Sequence, residues 1–418
     1  MLSHARQFLV LFLSVVILLI GHGLQLTLLP LRADGLGWDV SDIGMTGSFY
    51  FLGFMAGCIG IPRFVVAVGH IRTFSTSTTV CGGSLLLILL TDDPVIWAGL
   101  RFLTGLGISG CYIIIESWLN EQTEDQYRSR ILAIYSILVL AAMTLGQVLV
   151  NIGEPTGVIP VVIGSMLLSA AIIPLSLTNV EQPAPQQELR FKLREVYRAS
   201  HAAVGAAFLT GSITGVLFTL TPVAGTQFGL DLADVSVLMI CLVAGGSILQ
   251  LPAGRLSDSF DRRKVMIALV LIGGVSAVVG VATFDQRLPL FLTMIILGGS
   301  ATAIYPICLA HANDRYPDHF LEVGTVILMA NATGSVLGPI LGALAMTTFG
   351  AQGFFYFIAA GMLSVLLWLI YCIVLKSKAP VVVSKFVNTT KSSQALLVLD
   401  PRADHQESPT GAADTEAS

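Results

Sequence analysis

Gly254-Arg255-Leu256-Ser257-Asp258-Ser259-Phe260-Asp261-Arg262-Arg263-Lys264 is an eleven-residue stretch with six charged side chains, set between apolar runs at 234–253 and 265–284. Charge this dense is expelled from hydrocarbon, and each flanking run has the roughly 20 apolar residues that a helix needs to cross a bilayer core. The stretch therefore reads as a short polar link between two membrane helices.

The same alternation continues in both directions. Cutting the chain wherever charges, Pro and Gly interrupt apolar runs gives spans at 8–30, 42–62, 73–91, 95–119, 131–151, 158–177, 203–226, 234–253, 265–284, 288–311, 322–347 and 354–375. Hydrophobic residues fill 54% of the 418 positions and charged residues only 11%, and mean hydropathy is +0.82. The solvent of such a chain is lipid. The first run continues apolar through Leu31 with no small-x-small cleavage site, so it reads as a retained span. All six cysteines fall inside apolar segments without metal-ligand spacing. No GxxxxGK[ST] loop occurs, so the chain carries no ATP-driven pump motif of its own, and no basic run suits nucleic acid. No cofactor is expected.

Orientation follows from the cations. With both termini in the cytoplasm, every one of the 22 Lys and Arg residues except Arg32, Arg287 and the intramembrane Arg101 sorts to the inside. An odd number of spans would scramble that sorting. Residues 178–200, with Pro183, Pro185 and four cations, read as a cytoplasmic linker with a surface helix from Glu188 onward, and residues 376–418 as a disordered cytoplasmic tail. Asn388 matches a glycosylation pattern that goes unused on that side.

The second half repeats the first. Asp39 and Asp42 match Asp231 and Asp234, and Thr27 and Pro30 match Thr219 and Pro222, all at an offset of 192; Gly105 and Tyr112 match Gly298 and Tyr305 at 193. The chain is thus expected to be an all-α integral membrane protein of twelve transmembrane helices in two pseudo-symmetric six-helix bundles, 1–177 and 201–375. A parallel repeat implies a two-fold axis along the membrane normal and a site between the halves near the midplane.

The opening stretch resembles G-x-L-[AS]-D-[RK]-x-G-R-[RK], the signature of the major facilitator superfamily, at the place of that family's second copy. The resemblance implies a helix contact at Gly254 and a charge latch at Asp258, with Arg262 and Arg263 as its partners. Ser259 and Asp261 depart from the pattern. The first copy is eroded: Pro62 stands at the Gly position, Val66 at the Asp position and Gly69 at the second Gly, so an asymmetric gate is expected.

Span four contains Arg101-Phe-Leu-Thr-Gly105-Leu-Gly107, which resembles the R-x-x-x-G-x-G motif of the proton-coupled drug antiporters. An intramembrane Arg is costly unless it meets water or a partner, and so marks function by default. Glu116 lies about 60° around and about 22 Å along the same helix, on a stripe with Gly105, Ile108 and Tyr112 that is expected to line a cavity. Glu116 reads either as a proton carrier, its pKa raised by desolvation, or as a structural carboxylate near the helix end. Other intramembrane polar groups are His22 and Gln25, Gln147, Gln250 and Asn331. Each binds substrate or bonds across helices, with Gln25 and Asn331 the strongest substrate candidates because spans one and eleven line the cavity in the family. Gly334-x-x-x-Gly338-Pro339-x-x-Gly342 in span eleven looks like the antiporter signature, which the family carries in span five, and offers helix flexing through Gly334, Gly338 and Pro339. Ser48-Phe-Tyr-Phe-Leu-Gly53 and Ile113-Ile-Ile-Glu116-Ser117 look closest to an uncharacterised bacterial branch, the YcaD-like facilitators, a resemblance that implies a multi-pass protein of the bacterial inner membrane.

Together these features call for a monomeric secondary transporter that moves a small solute by alternating access, coupled to protons. A uniporter of the same fold is the nearest alternative, and a membrane sensor or scaffold signalling through its tail is a rival of another class. An enzyme lacks a nucleophile or metal constellation. Deleting residues 376–418 separates the rivals: a transporter keeps its transport rate in liposomes, whereas a scaffold loses its function in cells.

Overall fold

The computed structural model describes residues 2–121, 128–177, 192–317 and 319–376; residues 122–127, the start of the linker and the tail beyond 376 with Asn388 lie outside them. Twelve helices are long and apolar enough to cross a membrane: Leu9–Gly35, Val40–Val68, His70–Leu90, Pro94–Leu119, Ile134–Ile152, Ile159–Ser176, His201–Gln227, Leu232–Ser259, Arg262–Thr283, Arg287–Arg315, Phe320–Phe349 and Gly353–Val374. They are spans one to twelve below. A short helix, Leu193–Ala199, precedes span seven, and no strand occurs among the described residues.

Several helices outrun the expected spans. Hydropathy stops at the first charge, whereas backbone hydrogen bonding continues through it. Span eight has 28 residues, or about 42 Å, enough to pass through the hydrocarbon and both headgroup layers. Most of the opening stretch is consequently helical, up to Ser259. The chain then turns at Phe260, and Asp261 caps span nine by accepting the Arg263 backbone N–H at 2.9 Å. Large apolar side chains such as Ile137, Ile248, Val275 and Leu363 point outward, as lipid requires.

The packing follows the repeat. Spans two and four, one and five, three and four, one and six, and three and six are neighbours; so are eight and ten, seven and eleven, nine and ten, seven and twelve, and nine and twelve. Glycines let these helices meet backbone to backbone. Gly53 lies against the Phe102 carbonyl and Gly245 against that of Ile295; Gly105 meets Tyr50 and Gly298 meets Leu242. Gly23 meets Met143 and Gly215 meets Ser335; Gly146 meets Ile20 and Gly338 meets Ser212. In every pair both members shift by 192 or 193 positions. The turn glycines Gly37 and Gly229, at φ of 80° and 83°, are related in the same way. In lipid, where apolar surface gains nothing by being covered by another helix, such close approach supplies the packing energy.

The halves meet through spans two and eleven, five and eight, and one and seven. Much of this contact lies on the face opposite the one bearing Arg63, Arg72, Arg194, Arg255, Lys264 and Arg315, here termed the basic face. On that opposite face Thr226 Oγ1 donates to Asp34 Oδ2 at 2.8 Å. These residues are 192 apart, so a bond between repeat equivalents marks the pseudo-two-fold axis. Asn151 Nδ2 donates to Ser236 Oγ at 2.9 Å, and the equivalent pair, Ala343 and Gly44, is in close contact. Gly47 seats Thr219.

A methyl group at Gly53 collides with the Phe102 carbonyl, while one at Gly99 meets open space. Gly53→Ala is expected to destabilise by about 2 kcal/mol, and Gly99→Ala to be neutral or stabilising by up to about 1 kcal/mol. Thermal unfolding of the two purified variants checks this.

Candidate functional site

Span four carries Arg101 into the protein interior, 5% exposed. Its guanidinium carbon sits 4.5 Å from the centroid of the Tyr50 ring on span two, a cation–π contact made possible because Gly105 lets spans four and two touch. Nη1 of Arg101 is buried without a hydrogen-bond partner, and no carboxylate pairs with Arg101 among the described residues.

Tyr50 links this cation to span one. Gln25 Nε2 donates to His22 Nδ1 at 2.9 Å, which leaves the ring proton on Nε2, 3.5 Å from the Tyr50 hydroxyl. Tyr112 approaches the same imidazole edge-on, with ring centroids 6.3 Å apart. Arg101, Tyr50, His22, Gln25 and Tyr112 are thus one cluster, all within the first half. Tyr112 is half-buried.

Glu116 lies further along span four towards the basic face and is fully buried. It sits within electrostatic reach of Cys58, Tyr112, Tyr135 and Tyr305. Tyr305 belongs to span ten, so the electrostatic reach of this carboxylate extends to both halves. Its full burial makes Glu116 an interior group.

Five of the expected positions make contacts between helices. Asn331 Nδ2 donates 3.0 Å to the Ala207 carbonyl of span seven, so it ties two helices. Gln147 accepts from Thr27 Oγ1 across spans five and one. Gly334 and Gly338 seat span seven at the Phe208 and Ser212 carbonyls, while the Pro339 carbonyl lies against Gly44 of span two. The expected cavity stripe on span four also splits, with Gly105 packed on span two and Ile108 fully buried. Gln250 is half-buried on span eight.

On the basic face, Arg262 is 4% exposed. Its Nε donates to Asp314 Oδ2 at 2.6 Å, and its Nη1 donates to Ser257 Oγ at 3.1 Å and Asp258 Oδ1 at 3.3 Å. Ser257 in turn donates to the Gly254 carbonyl at 2.9 Å. The cluster braces spans eight, nine and ten within the second half. Arg263 does not join Asp258; it grips Asp261 at 3.0 and 3.3 Å. Burial works to raise the Asp261 pKa, yet the side-chain and backbone hydrogen bonds from Arg263 outweigh it and hold the carboxyl below its usual range. Asp314 and Tyr50 escaped the sequence reading. Asp314 stands 193 positions after Glu121, a repeat signal that was available; Tyr50 has Leu242 as its repeat mate and gave none.

The first half solves the same corner differently. His70 occupies the repeat position of Arg262 and contacts Ser117 Oγ through Nε2 at 3.2 Å. Val66, at the position of Asp258, is exposed. At these two positions the copies differ in their side chains.

A cavity of about 800 Å³ opens elsewhere, between spans seven, eleven and twelve and the helix Leu193–Ala199, with apolar walls from Phe208, Met329 and Trp368. It touches none of the Arg101 cluster.

A family model described as Major Facilitator Superfamily matches residues 11–246 and again 202–401. Among curated proteins, an uncharacterized MFS-type transporter YcaD of Salmonella newport (strain SL254) is 25% identical over 368 residues, covering 86% of this chain and 94% of the relative. Among solved structures, a point mutant of the nucleoside transporter NupG superposes with a TM-score of 0.74 at 14% identity, over 87% of this chain and 98% of that one. A bacterial homologue of the human lysosomal transporter Spinster, inward-facing and unoccupied, gives 0.65 at 14% identity, over 97% and 99%.

Breaking the buried pair exposes its cost. Arg262→Ala and Asp314→Asn are each expected to lower stability by about 3–5 kcal/mol, and Asp258→Asn, whose side chain is 29% exposed, by about 1 kcal/mol or less. Thermal unfolding midpoints rank the three.

Proposed function

The chain belongs to the major facilitator superfamily and is a multi-pass membrane protein that transports a solute, and from that premise we propose that it is a proton-coupled secondary transporter working by alternating access. The observation that carries this reading is the Arg101 cluster: a cation held by an aromatic face, with one buried donor unmet, joined through Tyr50 to a neutral imidazole and an amide. A buried cation without a paired carboxylate is a place where a solute's polar group is recognised. Glu116 is the proton carrier, a fully buried carboxyl group whose charge one proton switches off. Its charge reaches Tyr112 of one half and Tyr305 of the other and so biases both.

Few intramembrane charges and several tyrosines favour a small, neutral or weakly charged amphiphilic solute. The pairs Asp34–Thr226 and Asn151–Ser236 close one face in this state; the basic face is the cytoplasmic one by its cations, with both termini there, in the inner membrane of a bacterium. Rocking about the pseudo-two-fold axis would break those pairs and bring the basic ends together. Asp258 and Arg262 stiffen the second half during that motion, and the glycines and Pro339 of span eleven let it bend. The chain acts as a monomer.

A ligand found by thermal-stabilisation screening, added to proteoliposomes containing a pH-sensitive dye, tests the coupling. Wild-type protein is expected to move protons with the ligand, and Glu116→Gln and Arg101→Ala each to reduce that flux by about 10²-fold or more. Uptake that ignores the pH gradient and survives both substitutions indicates a uniporter.

A further inference from the structure

Outside the Arg101 cluster, a second group of polar side chains gathers on the basic face. Ser200, His201, Arg263, His311 and Arg315 line a small cavity between the ends of spans seven, nine, ten and twelve. His311 is 3% exposed, and its Nε2 has no hydrogen-bond partner. Ser200 is 1% exposed, and its hydroxyl is also unmet, as is Nε of Arg315. Unmet buried polar groups are costly and few in native proteins, so three converging on one cavity point to a ligand.

The local charge is positive. Arg263 is neutralised by Asp261 and Arg262 by Asp314, but Arg315 has no ion pair among the described residues. Ser200 is the N-cap of span seven, yet its side chain makes no capping bond. The hydroxyl and the first N–H groups of a 27-residue helix therefore stand at the cavity with the positive end of the helix dipole. The cavity itself is about 10 Å³, room for a single oxygen atom or one water. A whole solute does not fit, but one oxygen of a tetrahedral anion does, its remaining oxygens lying at the mouth near Arg315. The site lies at the ends of spans, at the level of headgroups.

We propose that this pocket binds a phosphate group, with one oxygen held by His311, Ser200 and the start of span seven and the charge met by Arg315. Phosphate here comes from either an anionic lipid headgroup or free inorganic phosphate, and the test separates them. The unfolding midpoint of the purified full-length protein is measured with inorganic phosphate against chloride at equal ionic strength, and with phosphatidylglycerol against phosphatidylcholine. At least one phosphate carrier is expected to raise the midpoint over its control. An effect of phosphatidylglycerol alone assigns a headgroup, and an effect of inorganic phosphate alone suffices for a free anion. In Arg315→Gln and His311→Gln the half-saturating concentration is expected to rise about tenfold or more. Ser200→Ala serves if either fails to fold, and Arg198→Gln, on the linker helix, is expected to change nothing. No rise with either carrier, as for a pocket holding only water, overturns the proposal. So does a rise undiminished in the pocket variants, or one weakened equally by Arg198→Gln.

Discussion

Backbone-to-backbone contact at glycine is the constraint on which the rest of this structure depends. Lipid offers helices no hydrophobic reward for association, so they must gain their energy from close packing and interhelical bonds. Gly53, Gly105, Gly23 and Gly146 admit the carbonyls of neighbouring spans, and their counterparts Gly245, Gly298, Gly215 and Gly338 do the same in the second half. These seats fix how each helix is rotated about its axis. Rotation in turn decides which polar side chains face a neighbour and which face the centre. The Gly105 seat brings Arg101 over Tyr50, and the Gly334–Gly338 seat turns Asn331 onto span seven.

The two halves share this frame but divide the chemistry. The first half holds the Arg101, Tyr50 and His22 cluster and the interior Glu116, while the second half holds the Arg262–Asp314 brace. At the corner where Arg262 is buried, the first half has His70 against Ser117, a contact with no counterpart to Asp258 beside it. A charged brace stiffens one bundle on the basic face, while at the matching corner of the other the described residues place His70 against Ser117. The opposite face is joined by pairs that obey the pseudo-symmetry, including Thr226 with Asp34 across the axis itself. Contacts of this kind are single hydrogen bonds and small-residue packing, each worth about 1 kcal/mol in a membrane, and they are weak enough to exchange.

Much of the fold was legible because it rests on two one-dimensional signals, hydropathy and a fixed offset. Both survive without any knowledge of side-chain direction. The helix ends were misplaced because charge marks the edge of hydrocarbon, not the end of helical hydrogen bonding, as the helical run through Ser259 shows. Of the two roles the sequence left open for Asn331, the bond across helices was foreseeable. It lies three residues before Gly334 on one helical stripe, so a glycine seat at 334 and 338 already turns it towards span seven. Gln147, beside Gly146, follows the same logic. Arg101 was visible because a charge inside an apolar run is conspicuous. Tyr50 was invisible because an aromatic residue there looks like a lipid-facing one, and its meaning comes only from Arg101 standing over it.

The central claim is that the halves exchange between two closed faces about the axis marked by Asp34 and Thr226. Spin-label distances measure this most directly, with one pair at positions 39 and 227 on the opposite face and another at 72 and 264 on the basic face, in lipid nanodiscs with and without a stabilising ligand and across pH. The account predicts two populations that trade reciprocally, the 39–227 distance lengthening as the 72–264 distance shortens. Single, unmoving distances under all conditions, or both pairs lengthening together, would contradict it.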